Sequence, residues 1–212
     1  MKPGVDVLRF FRYTMDRIMD LRVDSLLAGA QRAEGIVVII DVFGAGAMAP
    51  LALAQGAPHL VLAATNDDAE AMKRRRAGEL TIGDRGDRSH ATPDLGPSAS
   101  SVTRADLTGR VAVLATRTLT MGVNAARHAE RIYAAGLLNV RATARIIHSL
   151  DPAIVTLVPM GVDGRLRTDE DEICAMVLKH VLGGKPPDEE AAVRFIRSCV
   201  TSQKRQGHAI EA

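Results

Sequence analysis

Two stretches of this sequence carry carboxylates where they can do chemistry. Asp41 directly follows Ile36-Val37-Val38-Ile39-Ile40, an unbroken run of β-branched apolar residues, and Thr168-Asp169-Glu170-Asp171-Glu172 opens a helical stretch after a later apolar run. An acid just past a buried strand serves either as a hard oxygen ligand for Mg²⁺ or as an acceptor that locks the adjoining loop. Acids in a first helical turn are favoured by the helix dipole, and Thr168 is a good cap. Four carboxylates exceed what capping requires, however, and with Asp41 they can supply oxygen ligands to one Mg²⁺. In Gly83-Asp84-Arg85-Gly86-Asp87, Arg85 can grip a phosphate or carboxylate with two parallel hydrogen bonds, or pair with Asp84 or Asp87 as a solvated ion pair. After Asp41, Gly44-Ala45-Gly46-Ala47-Met48-Ala49 matches G-x-G-x-x-A, and Asn66, Asp67 and Asp68 follow at roughly the 20-residue spacing of a dinucleotide-binding fold. The six His form no H-x-x-x-H pair, which disfavours zinc. There is no G-x-S-x-G, no P-loop lysine, and no second Asp two residues after Asp41.

These groups need elements to hold them. Helical spacing of Leu8, Phe11, Met15, Ile18, Met19, Leu26 and Leu27 predicts helix over Val7–Ala33, with Asp24-Ser25 able to cap a second helix. Ile36–Ile40, apolar throughout, predicts a strand covered on both faces, as in a parallel sheet. The pattern then alternates. Helix is expected over Ala47–Ala54, strand over His59–Ala63, helix over Asp67–Arg76 and strand over Leu80–Ile82. After a long polar loop, Gly83–Ala105, come strand Val111–Leu114, helix Val123–Arg131, strand Arg131–Tyr133, helix Val140–His148 and strand Ile154–Val158. Helices Glu170–Leu182 and Pro187–Thr201 follow. Alternating strands and helices predict an α/β layered fold with a mainly parallel sheet. Ligands in such folds bind beyond the carboxyl ends of the strands.

Composition excludes several classes. Of the 212 residues 47% are apolar and 25% charged, the balance of a folded domain, and 27 basic against 25 acidic groups give too small an excess to point to a nucleic-acid partner. Aromatics are only 3% with no Trp, which disfavours base stacking. No apolar run reaches the roughly 18–20 residues of a membrane span. Two distant Cys form no disulfide framework, so a cytoplasmic setting is expected.

In order along the chain, the strand ends resemble the 2-phosphosulfolactate phosphatase family. Its pattern is I-D-V-L-R-A-T-T, a loop like G-E-R-G-G, F-D-L-G-N-S-P, T-T-T-N-G-T, G-S-L-L-N, and an acidic E-D before a helix containing C-A-G. This chain has Ile40-Asp41-Val42-Phe43-Gly44-Ala45, Gly83-Asp84-Arg85-Gly86-Asp87 and Pro93-Asp94-Leu95-Gly96-Pro97-Ser98. Next come Ala115-Thr116-Arg117-Thr118-Leu119-Thr120, Ala135-Gly136-Leu137-Leu138-Asn139 and Glu170-Asp171-Glu172-Ile173-Cys174-Ala175. The resemblance runs from about Gly35 to Leu182. It implies a Mg²⁺-dependent phosphatase-like hydrolase acting on a small acidic phosphorylated metabolite. Asp41, Glu170 and Asp171 are then metal ligands or water-orienting acids, and Asp84, Arg85 and Asn139 join Asp41 and Glu170 as catalytic candidates. Arg85 would clamp the anion, and Asp94, Thr118 and Thr120 would bind substrate.

The departures from the pattern are chemical. Gly44 stands where the family has Arg, Gly46 and Ala47 replace the Thr pair, Pro97 replaces Asn, and Thr118-Leu119 replace the N-G turn. A site that loses hydrogen-bonding groups changes its preference by large factors, so an altered substrate is expected. Gly44 and Gly46 can instead form a nest of backbone N–H groups that takes an anion in place of the missing Arg. Two other readings stay open: a catalytically retired or repurposed homologue that binds a ligand or partner, and a dinucleotide-binding protein. The expected organisation is an N-terminal helical extension over 1–34, the α/β domain over 35–202 and a tail over 203–212. A homodimer is expected from the apolar face of residues 8–27.

Overall fold

Five consecutive β-branched residues favour an extended chain packed on both faces. In the computed structural model, which describes residues 19–83, 89–185 and positions 191, 194, 195 and 198, this run is a fully buried strand. The strands are β1 (Asp20–Val23), β2 (Ile36–Ile40), β3 (Leu60–Ala63), β4 (Leu80–Ile82), β5 (Ala112–Ala115), β6 (Arg131–Ala135) and β7 (Ile154–Pro159). Among the described residues the helices are α1 (Leu26–Arg32), α2 (Ala45–Ala54), α3 (Asn66–Arg74), α4 (Ala99–Thr103), α5 (Arg117–Ala125), α6 (Val140–Leu150) and α7 (Asp169–Leu182). The α/β class expected from the sequence is what the chain adopts, with every strand pairing parallel.

The strands form two sheets rather than one. The first has the order β1-β7-β2-β6 and the second β3-β5-β4. Between them lies α2, Ala-Gly-Ala-Met-Ala-Pro-Leu-Ala-Leu-Ala, apolar along its whole length with only its last residues, Leu53 and Ala54, exposed. Its Ala45, Met48 and Ala52 share a core with Val37 and Ile39 of the first sheet and with Leu80, Ile82, Ala112 and Leu114 of the second. The opposite face of β2, Ile36, Val38 and Ile40, packs on Val140, Ala144 and Ile147 of α6 and on Cys174, Ala175 and Leu178 of α7. Helix α3 covers the outer face of the second sheet through Ala69 and Met72.

Several boundaries differ from the sequence reading. Residues 1–18 lie outside the described residues, and Asp20–Val23 is a strand rather than part of a helix over Val7–Ala33. Asp20 and Arg22 are exposed while Leu21 and Val23 pack inward, so here period two wins over helical spacing. From Asp20 on, the stretch expected as an N-terminal extension is thus an edge strand of the first sheet, paired with β7. Met19, on the apolar face from which a dimer was expected, packs with Leu21 and Val23 against the chain's own core. Helix α5 starts at Arg117 rather than Val123, because the chain leaves β5 through an extended Thr116 and Leu119 and Gly122 are already buried. The polar loop contains α4, whose first turn is capped by the Ser98 hydroxyl accepting from the Ser101 N–H at 3.1 Å. Of the helix expected over 187–201, Ala191, Arg194, Phe195 and Ser198 are helical and the rest lies outside the described residues, as does the tail.

Ile39 is fully buried between the sheets, in contact distance of Gly122 and close to Met160. Ile39→Ala is expected to lower stability by about 2–5 kcal/mol, measured by urea unfolding.

Candidate active site

In parallel sheets the carboxyl ends of all strands open on one side, and here the two sheets meet there at Asp41. It follows β2 directly, and its backbone N–H donates to the Ala135 carbonyl at the end of β6 at 3.4 Å. Its carbonyl accepts the Gly46 N–H at 2.7 Å, and its Oδ2 accepts the Ala45 N–H at 3.3 Å. From the second sheet, the Thr116 hydroxyl lies 3.5 Å from the same Oδ2. Burial pushes the Asp41 carboxyl above the usual carboxylate range. The backbone N–H groups of Ala45 and Gly44 and the Thr116 hydroxyl partly oppose that rise, and the charge of Glu170 adds to it.

The glycines after Asp41 make this arrangement possible. A Cβ on Gly44 would lie 2.5 Å from Asp41 Oδ2, and one on Gly46 would lie 2.3 Å from the Asp41 carbonyl oxygen. The backbone N–H groups of Gly44 and Ala45 do face an anion, as a nest would, but that anion is the chain's own Asp41 carboxylate, and the Gly46 N–H goes to the Asp41 carbonyl. Pro50 leaves the Gly46 carbonyl without its helical donor, and Gly136 packs onto that carbonyl closely enough that a Cβ would stand 2.6 Å away.

Helix α7 brings two more carboxyls to this rim. Glu170 is 7% exposed and Asp171 3%, both in the first turn. Asp171 Oδ1 accepts the Val42 N–H at 2.8 Å and Oδ2 accepts the Gly161 N–H at 2.8 Å. Burial pushes its carboxyl up to about 7; the two N–H groups oppose this, and the charges of Asp41 and Glu170 reinforce it. The charges that act most on Asp41 and Asp171 are those of other carboxylates. Arg117, next to Thr116, pairs with Asp163 at 3.8 Å, and Arg167, just before α7, pairs with Glu172 at 3.5 Å.

The remaining predicted site residues fall into three groups. Asn139 holds the turn after β6: its Oδ1 accepts the Gly136 N–H at 2.8 Å and its Nδ2 donates to the Ala134 carbonyl at 3.0 Å. Asp94 fastens the polar loop to β4, accepting from the Thr81 N–H at 2.8 Å and Lys73 Nζ at 2.6 Å. Thr120 donates to the Ala63 carbonyl at 3.2 Å, whereas Thr118 is half-buried in the first turn of α5. Asp84 and Arg85 lie outside the described residues. Thr116, which bridges the sheets to Asp41, was not singled out from the sequence. Its place directly after β5 was the available signal.

The dinucleotide reading fails on topology. It needs the strands before and after the glycine loop side by side, yet β2 and β3 belong to different sheets. Asp67, its ribose-binding candidate, instead accepts the backbone N–H groups of His90 at 3.1 Å and Ala91 at 2.8 Å and so ties down the polar loop.

A family model described as 2-phosphosulpholactate phosphatase matches residues 23–208. The chain belongs to this family. A probable 2-phosphosulfolactate phosphatase of Deinococcus radiodurans is 31% identical over 165 residues, 77% of this chain and 68% of the relative. One of Thermotoga petrophila is 28% identical over 193 residues, 88% and 83% of the two chains, and one of Thermus thermophilus 29% over 178 residues, 82% and 74%. The match begins at Val23, the last residue of β1, earlier than the resemblance that starts at Gly35, and so takes in α1.

Among the described residues no three His, Cys, Asp or Glu side chains gather closely enough to hold a metal ion by themselves. Mg²⁺ does not require such a cage, since it is commonly bound through one or two carboxylates with waters and substrate phosphate completing the shell. The hard oxygen donors of Asp41 and Glu170, both withdrawn from water, fit that ion. No described helix is long and apolar enough to cross a membrane.

The pH dependence follows from Asp171. Its proton is held more tightly in the folded chain, up to about 7, than in the unfolded chain near 4, so the unfolded state binds fewer protons across that window. Protein freed of divalent ions is therefore expected to lose stability as pH rises from about 4 to about 7. Urea unfolding at stepped pH measures the slope, which Asp171→Asn should flatten.

Proposed function

We propose that the chain is a phosphatase that releases phosphate from a small acidic phosphorylated metabolite with the help of Mg²⁺. The observation that carries this reading is that Asp41 and Glu170, two carboxyls withdrawn from water and distant along the chain, stand near enough at the carboxyl rim for the charge of Glu170 to act on Asp41. The charge of Glu170 disfavours ionisation of Asp41 unless a cation joins them. A bound Mg²⁺ would polarise the phosphoryl group and make an attacking water more acidic.

The chain's own residues supply the rest. Asp41 and Glu170 would hold the ion. Asp41 is kept in place by the α2 start and Thr116. The first turn of α5, whose N–H groups Thr116 does not cap through its side chain, faces the same rim and offers a partial positive charge to a phosphoryl oxygen. Thr118 adds a hydroxyl there. Asn139 keeps the β6 turn, and with it the Ala135 carbonyl bonded to Asp41, in register.

The relatives are named for 2-phosphosulfolactate, and an altered preference is proposed for this chain. Gly44 leaves no room for a side chain beside the Asp41 carboxyl, so the family's Arg contact has no counterpart at that position. The end of the substrate distant from phosphate must then be held by other groups.

Phosphate release from a panel of phospho-acids, with 2-phosphosulfolactate included, tests the proposal. Turnover that needs Mg²⁺, is removed by chelator and falls at least about 100-fold in Asp41→Asn is expected. Turnover unaffected by chelator, or silence across the panel from cooperatively folded protein, would overturn it. Within an active panel, a ratio of kcat/KM that favours another phospho-acid over 2-phosphosulfolactate is expected.

A further inference from the structure

The structure assigns Asp171 the role of a positioning residue: its carboxylate clamps the backbone just after β2 to the backbone just after β7 and so sets where Asp41 stands. The sequence alone placed it with Glu170 as a metal ligand, since the two are neighbours in one acidic run. Their surroundings differ. Asp171 heads the stripe of α7 that continues through Cys174, Ala175, Leu178 and Leu182, all buried against the first sheet. Its side chain therefore approaches the rim from within the core. There it meets two backbone donors at 2.8 Å, one on each oxygen.

Both donors sit at critical points. Val42 is the residue after Asp41, so holding its N–H holds the peptide that leaves the Asp41 Cα. Gly161 follows β7, the strand beside β2, and has φ +58, a conformation that favours glycine. A Cβ there would stand 2.0 Å from the Leu166 carbonyl oxygen, so the Gly161 N–H is aimed by a backbone that tolerates no side chain. A carboxylate that bridges two such donors ties adjacent strand ends together, and it acts on substrate chemistry only through Asp41. This inference rests on the proposed reading of Asp41 and Glu170 as the cation-binding pair.

Mn²⁺ serves as the probe, bound to wild type, Asp41→Asn, Glu170→Gln and Asp171→Asn and followed by calorimetric titration, alongside kcat with the best phospho-acid. The clamp predicts that Asp41→Asn and Glu170→Gln weaken Mn²⁺ at least about tenfold while Asp171→Asn keeps it within about threefold and lowers kcat about 10–100-fold. An asparagine offers one acceptor to two donors, so the Val42 and Gly161 amides should also lose exchange protection. A loss of Mn²⁺ affinity in Asp171→Asn equal to that in Asp41→Asn, or an unchanged kcat, overturns the clamp. Wild type that binds no Mn²⁺ overturns the functional reading instead, and the clamp is then decided by the amides: protection lost at Val42 and Gly161 supports it, protection kept overturns it. If Asp171→Asn does not fold, Asp171→Glu keeps both oxygens at a longer reach. Retained Mn²⁺ affinity with lowered kcat supports the clamp, and unchanged kcat overturns it.

Discussion

Carboxyl groups taken out of water against parallel strand ends oppose their own ionisation, and much of the rim is built to tolerate this. Asp41 is met by the first amides of α2 and by a threonine from the other sheet. Asp171 is met by two backbone N–H groups. Glu170, in the same helical turn, adds charge to both. Backbone donors reduce the penalty without cancelling it, which leaves a site of negative potential with low dielectric walls. On the proposed reading a compact cation relieves this, and without one a proton does.

The same constraint explains the glycines. Gly44 and Gly46 lie where backbone and carboxylate approach too closely for any side chain, and Gly136 packs on the carbonyl that Pro50 sets free. A sequence motif that elsewhere cradles a pyrophosphate here folds an acid onto the start of its own helix. Likeness of spacing did not carry likeness of ligand, because the next strand leaves for another sheet.

The strand-helix alternation, the buried character of β2 and the acids at strand ends were readable along the chain, since each depends on local periodicity or adjacency. Less readable was β1, four residues whose alternation is shorter than the helical pattern around it. The division into two sheets was signalled only by α2, an apolar helix that shares one core with strands of both. Asn139 and Asp94 were visible as motif members, yet their bonds to Gly136, Ala134, Thr81 and Lys73 give them work in holding turns and loops. Thr116 was passed over because a hydroxyl at a strand end has no distinctive spacing.

The residues by themselves determined the α/β class, the family and the identity of the acids, because hydrophobic period and motif order are properties of the linear chain. Tertiary structure decided which acids meet, which donors reach them and which are shielded from water. Those depend on strand neighbours far apart in sequence: β7 lies beside β2, and β5 approaches from another sheet. Adjacent in sequence, Glu170 and Asp171 look equivalent until α7 turns one of them onto the backbone of two strands, since a helix places successive residues about 100° apart and only packing says which direction is the core.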